Sequence, residues 1–164
     1  MRSKTTNPRV EVTFAPTVIL VSVMRGFVSS FYAKVLGAGP SQMLAMATHE
    51  LLENALKYSA EEGATIAIEV ERGVELDHVT IRIKNRAEPT HIAPLREALE
   101  RMEQASDPMS HYLSLMRETS KRPDGSGLGL ARLRAEADMK LALEVEGNEV
   151  CIVAKCEVHK EKAA

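Results

Sequence analysis

Long stretches of a single charge sign are missing from this sequence. Its 21 basic and 23 acidic side chains are interspersed and leave a net charge of −2, so the electrostatic footprint of a general nucleic-acid or membrane-surface binder is absent. A nucleotide or a protein is the expected partner. Long uninterrupted apolar runs are scarce too: the first, residues 18–23, is far too short to span a bilayer, is followed at once by Met24-Arg25, and comes after a polar Met1-Arg2-Ser3-Lys4. A cytoplasmic protein is expected. Cysteine is scarce, and Cys151 and Cys156 lie in one apolar stretch, where a five-residue offset would put them on opposite faces of a strand. They read as reduced core thiols. His49, His78, His91, His111 and His159 show no metal-ligand spacing with each other or with the cysteines, which argues against a zinc site.

What is present is an ordinary globular composition, 45% hydrophobic and 27% charged, with no low-complexity region and no internal repeat. At 164 residues one domain is expected, over 10–157, with tails at 1–9 and 158–164. Residues 10–14 alternate as a half-buried strand. After Thr17, a capping residue, apolar positions recur every three or four residues up to Gly37-Ala38-Gly39-Pro40, predicting an amphipathic helix whose β-branched start could instead extend the strand. Ser41 is the expected cap of a second helix running to about Ser59. Residues 64–70 and 79–83 then alternate as an antiparallel hairpin, and the polar Glu71-Arg72-Gly73 and Asp77-His78 between them predict a longer loop. Two helical segments over 92–119 break at Ser106-Asp107-Pro108, with Pro108 at the first position of the second. A loop at 121–127, a helix over 128–138 and a closing hairpin around Gly147-Asn148 complete the chain. The order β-α-α-β-β-α-α-α-β-β predicts an α+β fold: a two-layer α/β sandwich whose mixed, mostly antiparallel sheet carries helices on one face.

Within the second helix, Glu50-Leu51-Leu52-Glu53-Asn54-Ala55-Leu56-Lys57-Tyr58 sets Glu50 and Asn54 one turn apart on one face. Carboxylate, amide and ammonium suit a magnesium nucleotide: the Asn oxygen for the hard cation, Lys for phosphate charge, Glu to orient or deprotonate a nucleophile. Glu-x-x-x-Asn alone is also common on solvated helix faces. Gly125-Ser126-Gly127-Leu128-Gly129-Leu130 places three glycines at alternate positions leading into a helix, where bare N–H groups and the helix dipole attract phosphate. It is neither a Walker loop nor a dinucleotide fingerprint, and a flexible approach to a helix accounts for it equally well. Lys121, Arg122, Arg132 and Arg134 make its surroundings basic, which suits phosphates and a solvated helix face alike.

Taken together, the two segments resemble the N-box and second glycine box of the GHKL superfamily, which spans histidine-kinase catalytic domains, anti-sigma-factor kinases, Hsp90, gyrase B and MutL. The resemblance covers the chain from about Val10 onward. It implies Glu50 as general base or as the group that positions water or hydroxyl, Asn54 as magnesium ligand, Lys57 and Tyr58 near phosphate and ribose, and Gly125, Gly127, Leu128 and Gly129 closing over the triphosphate, with ATP and Mg as cofactors. The first glycine box, Asp-x-Gly-x-Gly, is missing: Lys84-Asn85-Arg86-Ala87-Glu88-Pro89 stands after the strand at 79–83. Asn85 could bond adenine through its amide, could be a turn residue, or the site could be a relic. This combination is similar to a standalone bacterial group of anti-sigma-factor-kinase-like, SiaB-type proteins. That similarity implies a small STAS-like or DUF1987-like switch protein phosphorylated on Ser or Thr. It leaves open a homodimer through the helix after Thr17, and an alternative in which the domain senses nucleotide or sequesters a partner without turnover. A sensor histidine kinase would need an acceptor-bearing helix hairpin before Val10, and none is read there.

Overall fold

The computed structural model describes residues 7–15, 17–120 and 127–160. In chain order it has β1 (Arg9–Phe14), α1 (Val18–Leu36), α2 (Ala38–Tyr58), β2 (Ser59–Arg72), β3 (Leu76–Ala87), α3 (Pro89–Gln104), α4 (Pro108–Thr119), α5 (Leu128–Ala137), β4 (Lys140–Glu146) and β5 (Glu149–His159). The order is the one predicted. The strands form one sheet in the order β1-β2-β3-β5-β4, and every ladder in it is antiparallel. β3 and β5 are neighbours although three helices and β4 separate them in sequence, so the helical segment must cross one face of the sheet and return.

Strand periodicity decides which face the helices cover. On β2 Ile66, Ile68 and Val70 are buried, on β3 Val79, Ile81 and Ile83, and on β5 Val150, Ile152, Ala154, Cys156 and Val158, each at every second position. Arg82, Lys84 and Arg86 fall in the other phase of β3 and are exposed. The result is a two-layer α/β sandwich. β5 runs on through Val158 and His159, beyond the start expected for the C-terminal tail. Cys151 and Cys156 lie on opposite faces of β5 as free thiols, and burial pushes Cys156 up to about 11.

Local chemistry sets the helix boundaries. Thr17 Oγ1 accepts from Leu20 N at 3.3 Å and caps α1, so the β-branched run after it is helix and not strand; such a cap is worth about 1 kcal/mol. Ser41, the expected cap of α2, is instead inside its first turn. Its N–H donates to Gly37 O at 3.2 Å and its hydroxyl to Ala38 O at 2.8 Å, so α2 begins at Ala38 with Gly37 as its cap. Pro40 is tolerated there because the first N–H groups of a helix have no partner to lose. α4 follows its reading closely: Asp107 accepts from Met109 N and Ser110 N at 3.1 and 3.2 Å, and Pro108 opens the helix.

The β2–β3 loop is shorter than its sequence suggested. A Cβ on Gly73 would collide with the Leu76 carbonyl, so only glycine closes this turn. Asp77, 2% exposed, accepts from Gly73 N at 3.3 Å and pairs with Arg72 and Lys160. Arg72 also donates to Val35 O at 2.7 Å, tying the hairpin to the last turn of α1. Tyr32, fully buried on α1, donates to Ile68 O at 3.1 Å and fixes that helix on β2.

Candidate nucleotide site

A cavity of about 340 Å³ opens between α2, the ends of β3 and β5, α3 and the start of α5. Its floor is apolar, with Ile83, Leu130, Val150 and Ile152 among the lining residues. Asn54, Lys57 and Tyr58 line it from the last turns of α2, Asn85 from β3 and Gly127 from the head of α5. The cavity therefore brings together residues from both segments singled out in the sequence, with Asn85 between them. A flat aromatic base fits an apolar floor bordered by a few polar groups, and the polar wall at Asn54 and Lys57 offers what a magnesium–phosphate end requires.

Asn85 is not a turn residue. It sits inside β3, paired with Ala64 and Val150, in the same phase as Val79, Ile81 and Ile83, and so points toward the helical layer. It is 9% exposed, and its Nδ2 donates to Arg86 O at 3.3 Å. That bond uses one of the two N–H groups, and the amide keeps its carbonyl oxygen as an acceptor beside one further donor. An amide can thus offer an acceptor at the strand position next to the missing glycine box.

Glu50 and Gly129 meet directly. A Cβ built on Gly129 would lie 3.2 Å from the Glu50 carboxyl carbon and overlap its Oε2, so the first turn of α5 rests on this carboxylate only because residue 129 is glycine. Glu50 stands outside the cavity lining, its side chain 15% exposed, with Oε1 3.4 Å from Arg132 Nη1. Arg132 Nε in turn contacts Glu136 Oε2 at 2.8 Å, and this hydrogen bond, with Glu50 nearby, raises the guanidinium pKa further. Gly127 has φ 85°, a left-handed backbone that favours glycine, at the cap of α5. Leu128 opens that helix without lining the cavity. Gly125, like Lys121 and Arg122, lies outside the described residues.

Two residues of this neighbourhood had no distinguishing signal in the sequence. His91, one of the scattered histidines, lines the cavity from α3 with its ring edge-on to Tyr58, centroids 5.3 Å apart. Lys57 Nζ, from the residue already singled out in the sequence, lies 5.0 Å from the centroid of the same Tyr58 ring. Arg132 and Arg134 looked equivalent as basic residues, yet only Arg132 reaches Glu50. Arg134 donates to Met102 O and, at 3.5 Å, to Glu103 O, satisfying carbonyls at the end of α3. Among the described residues no cluster of His, Cys, Asp and Glu could hold a metal by itself.

Fold and site define an ATPase-type nucleotide domain with a helix-borne Glu-x-x-x-Asn pair facing a glycine-led helix. The chain belongs to the histidine kinase-, DNA gyrase B-, and HSP90-like ATPase family, whose model matches residues 39–158. No curated protein matches it in sequence. Among solved structures it is similar to a chain of the SiaB–SiaC complex from Pseudomonas aeruginosa, at 13% identity and a TM-score of 0.63, over 91% of this chain and 89% of that one. At that identity the likeness speaks for the fold.

Proposed function

We propose that the protein is a cytoplasmic signalling regulator that binds Mg-ATP in this cavity and transfers the γ-phosphoryl group to a Ser or Thr hydroxyl of a small STAS-like or DUF1987-like switch protein. The observation that carries the reading is the meeting of Glu50 with Gly129, which sets a largely buried carboxylate at the head of the glycine-led helix, one helical turn from Asn54. Asn54 would hold the magnesium through its amide oxygen, and the ion would supply charge neutralisation along the phosphates. Lys57 adds positive charge at the same wall. Glu50 takes the acceptor hydroxyl proton as the oxygen bonds to phosphorus and the bridge to ADP breaks. Asn85 accepts from the adenine amino group, with Tyr58 beside the ribose and Gly125, Gly127, Leu128 and Gly129 over the phosphates. The fold likeness to a chain from a two-protein complex supports a protein acceptor.

A second reading has its own support. Arg132 holds Glu50 outside the cavity lining, and an amide stands where the family places an aspartate, as expected of a nucleotide-sensing or partner-sequestering module without turnover. Incubating a STAS-like or DUF1987-like acceptor with labelled ATP and wild type, Glu50→Ala or Asn54→Ala separates the two. Label lost with either substitution supports transfer; equal labelling by all three proteins sinks it. Calorimetry with Mg-ATP sorts the remaining cases. Binding without transfer supports the sensor, and no binding at high micromolar nucleotide leaves only a partner-binding domain.

A further inference from the structure

Adenine and the 6-oxo purines, hypoxanthine and guanine, share a flat ring system. They differ at the exocyclic 6-substituent, an amino donor on the first and an oxo acceptor on the others. An apolar floor cannot tell them apart, so discrimination falls to the polar groups that meet this substituent. The sheet contributes Ile83, Asn85, Ala87, Val150 and Ile152 to the cavity wall, which makes Asn85 the one polar side chain on that side among the described residues. The helices add the polar Asn54, Lys57, Tyr58 and His91, and no described Asp or Glu lines the cavity. The wall therefore holds no described side chain that only accepts, as a carboxylate does, and that would repel an oxo group.

Asn85 carries a group of each kind. One of its N–H groups is spent on Arg86 O at 3.3 Å, which steadies the amide, and the other N–H and the oxygen remain. The oxygen accepts no bond from the described residues and is not among their sealed, unpartnered atoms, so it stays accessible beside the cavity that Asn85 lines. A 6-amino group would donate to that oxygen. A 6-oxo group would accept from the remaining N–H, the base shifting by no more than the spacing of two atoms on one amide. Neither arrangement turns the amide over or breaks its bond to Arg86. Ala87, two positions on in the same phase of β3, ends in a methyl group, so the shift meets little bulk there. We propose, resting on the reading of this cavity as a nucleotide site, that Asn85 lets it take purine nucleoside triphosphates of both kinds, 6-amino and 6-oxo.

Calorimetric titration of the full chain at pH 8 with the magnesium complexes of ATP, ITP and GTP tests the proposal. ITP carries the 6-oxo group without the 2-amino group of GTP, so it isolates the position that Asn85 would meet. The wild type is expected to bind ITP within about tenfold of ATP. Asn85→Asp, its carboxyl ionised at this pH, keeps an acceptor for the 6-amino group and removes the donor for the 6-oxo group. It should shift preference toward ATP over ITP by about tenfold or more. Asn85→Ala removes both groups and should weaken ATP and ITP alike, leaving their ratio little changed. A wild type that binds ATP but holds ITP more than about tenfold less tightly overturns the proposal and leaves the Mg-ATP reading standing. A preference that Asn85→Asp does not move overturns it as well. GTP rejected where ITP binds upholds the role of Asn85 and assigns the rejection to the 2-amino group. A chain that binds none of the three overturns the nucleotide reading itself, and this inference with it.

Discussion

Arg132 Nη1 lies 3.4 Å from Glu50 Oε1, across 82 residues of sequence. The contact joins the helix that carries the proposed base to the helix that follows the glycine loop, and Glu136 holds the same guanidinium from its far side. A tilt of α5 would move Arg132 and Gly129 together, and these are the two groups that meet the Glu50 carboxylate. Glu50 and the first turns of α5 are thereby joined by two contacts.

If Arg132 acts by orienting Glu50, Arg132→Ala lowers phosphoryl transfer about tenfold, close to 1.4 kcal/mol, while Mg-ATP affinity stays within about twofold. Arg132→Lys restores part of the rate. In a Glu50→Ala background the arginine substitution costs nothing further. Transfer rates and calorimetric affinities for the four proteins provide the check. A loss of affinity as large as the loss of rate would instead make Arg132 a phosphate ligand.

Gly129→Ala should displace Glu50 without unfolding the domain. The added methyl meets the flexible end of a side chain, and alanine is favoured over glycine in a helix by about 1 kcal/mol, so the net change in stability is expected within roughly 1 kcal/mol of zero. Removing the clash with Glu50→Ala in the same protein should raise stability above the single Gly129→Ala variant. Urea unfolding of the two variants measures that difference, and no gain in the double variant would mean the carboxylate had already moved aside at no cost.

Asn54→Ala is expected to abolish the effect of magnesium on nucleotide binding. Affinity for Mg-ATP falls about tenfold or more, as for loss of one ligand to a hard cation, whereas affinity for ATP in chelator changes little. Titrations with and without magnesium separate this from a general loss of the cavity, which would weaken both equally.

The parts of this molecule governed by short-range periodicity were readable before folding. The alternation of 79–83 and the stripe on α2 report burial directly, and Glu50 and Asn54 share a face by helix geometry alone. Ser41 was misread because Gly-Pro looks like a stop, when proline costs nothing in a first turn. Asn85 looked like a turn residue because asparagine is common there, yet its place in the two-residue period of β3 puts it inside the sheet. What could not be read were contacts made by the fold as a whole. Arg132 and Arg134 differ by two positions, which turns them toward different neighbours: one finds Glu50 on α2 and the other the end of α3. His91 reaches the cavity only because α3 begins immediately beyond β3.

Tyr32 offers a test of the core through pH. Its hydroxyl is fully buried and bonded to Ile68 O, and burial pushes its phenol up to about 12. Below the ordinary phenol value of about 10, folded and unfolded chains both keep the proton and the contribution is complete. As pH rises from there the unfolded chain ionises first, so stability is lost progressively until the folded phenol also titrates, by up to about 3 kcal/mol for a shift of this size. Tyr32→Phe should therefore cost about 1 kcal/mol at pH 8, where it forfeits a buried hydrogen bond, and lose less stability than the wild type as pH climbs toward 11. Urea unfolding followed by circular dichroism at pH 8, 9.5 and 11 is expected to show the two curves converging. Parallel curves would mean that Tyr32 ionises equally in both states, and hence that α1 does not seal it from water.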